Sequence, residues 1–128
     1  MSEQAILVGR YAVRVDSKGR IVVPSEIRHA LGRYFFETNY YSMINTKPKE
    51  IRIYSQSGFQ KLLESNPNKA EKLCEDACPI TIETKPPHRM NIARPLEAIL
   101  GSSVCKRRDA LVCGRGDYFA VVLDEDKK

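Results

Sequence analysis

The run Val15-Asp16-Ser17-Lys18-Gly19-Arg20-Ile21-Val22-Val23-Pro24-Ser25-Glu26-Ile27-Arg28-His29-Ala30-Leu31-Gly32 holds a turn, a strand and a short helix in succession. Asp16-Ser17-Lys18-Gly19 is the turn: Asp16 can accept backbone N–H groups and Gly19 can take positive φ. Just upstream, Tyr11, Val13 and Val15 alternate with Ala12 and Arg14, which is the period of a strand. Downstream, Arg20-Ile21-Val22-Val23 is a second β-rich run, close enough to the first to pair with it as a hairpin. Pro24-Ser25-Glu26 starts a helix. Ile27, Ala30 and Leu31 give that helix one apolar face, and Gly32 stops it.

Two further strands are expected beyond Gly32. The first runs from about Tyr34 to Asn45 and the second from Glu50 to Tyr54, with Lys47-Pro48-Lys49 turning the chain between them. Phe59 to Glu64 reads as a helix with Phe59, Leu62 and Leu63 on one side. Asn66-Pro67-Asn68 breaks it, and a second helix covers Lys69 to Ala77, ending before Pro79.

Shifting the sequence by 69 residues brings a second copy of the opening unit into register. Arg20 falls on Arg89, Ile21 on Met90, Val23 on Ile92, Ile27 on Leu96, Leu31 on Leu100 and Gly32 on Gly101. Ala30 falls on Ile99 and, upstream, Val13 on Ile82. Pro95 takes a first-turn position in the second helix. Asp109 to Cys113 and Tyr118 to Leu123 are β-rich runs around Gly114-Arg115-Gly116-Asp117, mirroring the strand pair after the first helix.

The plan is therefore hairpin, short helix and strand pair, made twice. One such unit buries too little apolar surface to offset the entropy of ordering it, whereas two can interleave strands around a shared core. The expected class is mainly β with short helices (α+β). Residues 1–55 form a first copy, 56–79 a helical linker, and 80–128 a degenerate second copy.

The chain has 128 residues, 42% hydrophobic and 29% charged, a balance that suits a folded globule. No apolar run approaches a membrane span. Met1-Ser2-Glu3-Gln4 lacks a charged n-region and no signal-type cleavage site follows, so a cytoplasmic location is expected. The net charge of +5 is unevenly spread. Arg10, Arg14, Lys18, Arg20, Arg28 and Arg33 face only Glu3, Asp16 and Glu26 in the first block. Lys85, Arg89, Arg94, Lys106, Arg107 and Arg108 face only Glu97 in the second. Such blocks either neutralise phosphates or form a solvated basic surface.

Nothing in the sequence points to catalysis. It has no Gly-rich phosphate loop, nucleophile elbow or metal-ligand pair, and Gly114-Arg115-Gly116-Asp117 reads as a hairpin turn. The four cysteines, Cys74, Cys78, Cys105 and Cys113, lack the C-x-x-C spacing of structural zinc sites, and His88 is their one nearby histidine. They are expected to be thiols in a reducing compartment. No catalytic residue, metal, cofactor or small-molecule substrate is expected.

The segment from Val15 to Gly32, with its aspartate, Lys-Gly-Arg turn, β-branched residues, proline, helix arginine and Leu-Gly end, resembles the SpoVT/AbrB-type DNA-binding unit. The doubled arrangement is similar to MraZ-like transcriptional regulators of that superfamily. The detailed match covers roughly residues 10–33, with weaker echoes over 82–123. The resemblance implies a double swapped-hairpin AbrB-like β-barrel made by two tandem copies in one chain. It also implies assembly of chains into rings. The implied activity is non-enzymatic: repression of the protein's own division and cell-wall operon by binding short repeats upstream. The implied location is cytoplasmic and nucleoid-associated, and the implied partners are double-stranded DNA and further copies of the chain.

The residue chemistry fits that expectation. Lys18 and Arg20 project from the turn; Arg20 can donate bidentately to guanine or phosphate, and Lys18 suits a phosphate as a point charge. Arg14 lies on the strand face opposite Val13 and Val15 and is expected to face solvent. Arg28, off the apolar helix face, either extends the basic surface or makes a helix-surface salt bridge. Asp16 is expected to cap the turn.

The second copy departs from the pattern. On the 69-residue shift, Lys85, Pro86, Pro87 and His88 replace Asp16, Ser17, Lys18 and Gly19, Ala93 replaces Pro24, and Glu97 replaces Arg28. It therefore reads as a folding partner, with Lys85, His88, Arg89 and Arg94 as weaker DNA-contact candidates. The competing reading is an antitoxin-like AbrB module binding DNA and a protein partner; such modules carry one copy and a disordered tail where this chain carries a second copy.

Overall fold

In the computed structural model, which describes residues 6–32, 34–37, 39–83, 85–101 and 106–123, eight strands join into one antiparallel sheet. The strands are β1 Arg10–Val15, β2 Arg20–Val22, β3 Tyr40–Thr46, β4 Lys49–Ser55, β5 Cys78–Ile82, β6 Arg89–Asn91, β7 Arg108–Gly114 and β8 Tyr118–Leu123. The helices are α1 Ser25–Leu31, α2 Tyr34–Glu37, α3 Gln56–Ser65, α4 Ala70–Asp76 and α5 Ala93–Leu100. The protein is thus mainly β with short helices. Glu3, Arg33 and Cys105 lie outside the described residues, as does the N-terminal stretch read above.

The sheet order is β1-β7-β8-β4-β3-β5-β6-β2. Its two edges, β1 and β2, are joined by the Asp16–Gly19 turn, and Asp16 N donates to Arg20 O at 3.0 Å across the gap. The sheet therefore nearly closes into a barrel. Inward side chains fill it: Val15, Ile21, Ile51, Ile53, Met90, Val112, Phe119 and Val121 are all buried, with Ile27 of α1 and Leu96 of α5 plugging it.

The hairpin expected between β1 and β2 is not a ladder. β1 pairs instead with β7, from Arg10↔Cys113 to Val15↔Arg108, and β2 pairs with β6, with Ile21 opposite Met90. β3 pairs with β5, and β4 with β8. Strand pairs from the two ends of the chain alternate in this way because pairing across the halves encloses one core. Pairing within each half would leave two half-covered faces in water.

Exchanging β1 with β5, β2 with β6, β3 with β7 and β4 with β8 leaves the strand order of the barrel unchanged. The 69-residue offset holds for β2 and β6 and for α1 and α5. Upstream it does not. Asp16 N donates to Arg20 O, and Glu83 N donates to Arg89 O in the same way, so the second turn is two residues longer than the first. Val15 therefore corresponds to Ile82, and the expected match of Val13 with Ile82 is corrected. Downstream the offset is 70: Tyr40 stands opposite Ile80 as Ala110 stands opposite Val13.

Two local readings also change. The strand expected from Tyr34 begins at Tyr40, because residues 34–37 form α2. One helical turn lets Phe35 reach the core, where its carbonyl accepts from Tyr40 Oη at 3.0 Å, while Phe36 stays exposed. On α1, Ile27 and Leu31 are buried but Ala30 is exposed, so the buried stripe is narrower than the sequence suggested.

Candidate nucleic-acid interface

The Asp16–Gly19 turn is fixed from three sides. Asp16 Oδ1 accepts from Lys18 N and from Arg20 N, both at 2.9 Å, and Asp16 O accepts from Gly19 N at 3.0 Å. Asp16 thus caps the turn as its residue type suggested. Partial burial works to raise its pKa. The backbone N–H groups of Arg20 and Lys18, then the Arg20 guanidinium, outweigh that and hold the carboxyl below its ordinary value. Gly19 has φ 79° and lies on the start of α5: a Cβ there would stand 2.7 Å from Ala93 Cβ and 2.8 Å from Ala93 Cα. Its carbonyl accepts from Ile92 N at 2.8 Å. The first turn is therefore clamped by the second half of the chain.

Lys18, at the tip, is exposed and has no ion pair among the described residues. Arg94 is likewise exposed and without an ion pair among the described residues. The contact of Gly19 with Ala93 brings these two cations to the same end of the β2–β6 ribbon.

Arg20 corrects the sequence reading. It does not extend a free guanidinium from the turn: Nε donates to Asp16 Oδ2 at 2.9 Å and Nη1 to Glu83 Oε2 at 3.1 Å, leaving the side chain 26% exposed. Glu83 Oε1 also accepts from Arg89 Nη1 at 3.4 Å. Arg20 and Arg89 lie on the outer face of the ribbon, where Ile21 and Met90 take the inner face. Ribbon pairing across the halves makes the two arginines share one carboxylate.

Glu83 is the site residue that the sequence reading missed. A fixed 69-residue shift set Lys85 against Asp16. Allowing for the two-residue longer turn sets Glu83 there, an acid before an arginine in both halves. The acid of the turn is therefore kept in the second half.

The remaining candidates divide by position. Arg14 faces solvent on β1, and Arg14 Nε lies 3.2 Å from Asp109 Oδ1 with both side chains about two-thirds exposed, an ion pair of small energetic weight. Arg28 lies half-buried on α1, at the ribbon end that carries the second turn, with no ion pair among the described residues. Lys85 is exposed in that second turn. His88 takes the position of Gly19 with φ 63°, its ring 4.7 Å from that of Phe36 and its Nδ1 3.3 Å from Glu83 O. Both turns thus keep the left-handed residue, but only the first uses glycine for it.

A second charged cluster lies on the outer face of β4. Glu50, 1% exposed, accepts from Arg52 Nε at 2.7 Å and from Arg115 Nη2 at 3.0 Å. Burial works to raise the Glu50 pKa, and the hydrogen bonds from Arg52 and Arg115 prevail to lower it. This is a structural ion triad that ties the β7–β8 turn to β4. That turn closes with Arg115 N donating to Tyr118 O at 2.8 Å, a hairpin connection as read from Gly114-Arg115-Gly116-Asp117.

Cys74 is exposed, Cys78 half-buried and Cys113 buried, all as free thiols. Among the described residues no group of three or more His, Cys, Asp or Glu side chains could hold a metal ion, and no helix is long and apolar enough to cross a membrane. No protein-family model matches the chain, and no curated protein matches it.

Proposed function

We propose that the chain is a non-enzymatic transcriptional regulator that binds double-stranded DNA through the Asp16–Gly19 turn. In this reading its halves are tandem SpoVT/AbrB-like units forming one swapped-hairpin barrel. It acts, like MraZ-like repressors, on short repeats upstream of its own division and cell-wall operon, in the cytoplasm and on the nucleoid. Chains assemble into a homo-oligomeric ring, so that several turns engage successive repeats about one helical turn apart, roughly 10 base pairs.

One observation carries the reading: an exposed Lys18, without an ion pair among the described residues, on a turn whose backbone is already fixed by Asp16 and by Ala93. A cation held on a rigid support loses little entropy on meeting a phosphate. Arg94 adds a second charge beside it, and Arg14 a third along β1. Arg28 and Lys85 form a weaker contact at the other end of the ribbon. Arg20 and Arg89 shape the surface through Glu83, and Arg20 reaches a base edge only by leaving a carboxylate.

The test is fluorescence anisotropy of the full chain with two labelled duplexes: the DNA upstream of its own gene and an unrelated sequence of equal length. Binding should weaken as salt rises, with a log-log slope of about −0.9 per phosphate neutralised. Lys18→Ala should weaken binding to both duplexes and flatten that slope by about one contact. An affinity that Lys18→Ala leaves intact would remove the turn as the contact surface.

A further inference from the structure

We infer that the DNA surface at the first turn is completed by Lys106 and Arg107, two cations from the far end of the chain. The inference rests on the DNA-binding reading and deepens it by naming the phosphate contacts beside the turn. The register of β1 with β7 supplies the placement. Val15 stands opposite Arg108, so the residues before Arg108 run beside the residues after Val15, which are Asp16 and the turn.

The internal symmetry gives the same placement independently. With the 70-residue offset that relates β3 to β7, Lys106 and Arg107 correspond to Phe36 and Glu37. Phe36 packs on His88 in the second turn at 4.7 Å between ring centroids, and His88 is the counterpart of Gly19. The position that flanks the second turn with an aromatic ring therefore flanks the first turn with a lysine.

Lys106 and Arg107 are both exposed, and neither has an ion pair among the described residues. Arg108 is different. It shares the inward face of Val15 and buries its Nε without a hydrogen-bond partner among the described residues, so it is not part of this surface. The two turns are consequently unequal. The first gathers Lys18, Arg94, Lys106 and Arg107. The second is flanked by Phe36, an apolar residue, which does not attract a phosphate backbone. Neither half carries this surface alone: the turn comes from the first and its basic flank from the second.

The experiment measures anisotropy of the full chain with both duplexes over a salt series. It compares Lys106→Ala/Arg107→Ala with Lys69→Ala/Lys72→Ala, which removes the same charge from the segment holding α4. The flank variant should weaken binding to the two duplexes by a similar factor and flatten the log-log slope by about 1.8, two phosphate contacts. The control should change neither by as much. If the flank variant matches the control while Lys18→Ala still weakens binding, the inference fails and the DNA-binding reading stands. If the unmodified chain binds neither duplex, both fall.

Discussion

Arg20 Nη1 donates to Glu83 Oε2 at 3.1 Å, so an ion pair joins the first turn of the chain to the second across the outer face of the β2–β6 ribbon. Glu83 also holds Arg89, and it is the negative charge that keeps two arginines turned toward each other. Glu83→Gln should release Arg89 and leave Arg20 on Asp16 alone, and so strengthen duplex binding, by roughly fivefold if the released charge contributes about 1 kcal/mol. The partial exposure of all three side chains limits the accompanying loss of stability to about 1 kcal/mol. Anisotropy and thermal melting on the same variant separate the two effects. Weakened binding would show that Glu83 serves the shape of the surface more than it restrains Arg20.

Gly19→Ala should destabilise the protein by about 2–4 kcal/mol. It incurs both the left-handed backbone penalty and an overlap with Ala93. Gly101→Ala is the matched control: φ is 75° there, but nothing lies within 4 Å of a Cβ, so only the backbone penalty of about 1 kcal/mol applies. Urea denaturation of the two variants should separate them by the packing contribution alone.

Asp16 and Glu50 both have pKa values below their ordinary ones in the folded protein. A depressed folded value means that the unfolded chain takes up protons first as pH falls. Their contribution is therefore complete well above the unfolded carboxylate pKa of about 4, and is lost as pH drops from there through the folded values. Melting temperatures followed by circular dichroism from pH 7 down to pH 2 should fall over that acid window. Asp16→Asn and Glu50→Gln should lower the neutral-pH melting temperature and flatten the acid decline. Glu50→Gln should have the larger effect at neutral pH, since it leaves Arg52 and Arg115 without their shared buried carboxylate.

The thiols should react in order of exposure. In a Cys105→Ser background, a disulfide reagent should modify Cys74 first and Cys113 at least about tenfold more slowly, its rate limited by opening of the sheet. Equal rates for the two would contradict the burial of Cys113 between β1 and β8.

Local chemistry was legible in the sequence. The capped turn at Asp16, the alternation that sends Val15 inward and Arg14 outward, and the end of α1 at Gly32 depend on residues within a few positions of each other. The hairpin turn at Gly114-Arg115-Gly116-Asp117 was equally local. Partner choice was not. Any of several β-rich runs could have paired with β1 or β2, because backbone ladder bonds are the same for every sequence and only enclosure of one core selects among them.

The turn of the second half was misread for a related reason. Two extra residues between Glu83 and Arg89 change which side chains are equivalent without disturbing the strands on either side. Only the folded chain shows that Glu83 takes the place of Asp16, that Arg20 is held by carboxylates of both halves, and that Arg108 stands opposite Val15. Sequence sets which side chains a strand offers to each face. The closure of the barrel, a property of all eight strands together, decides which of them meet.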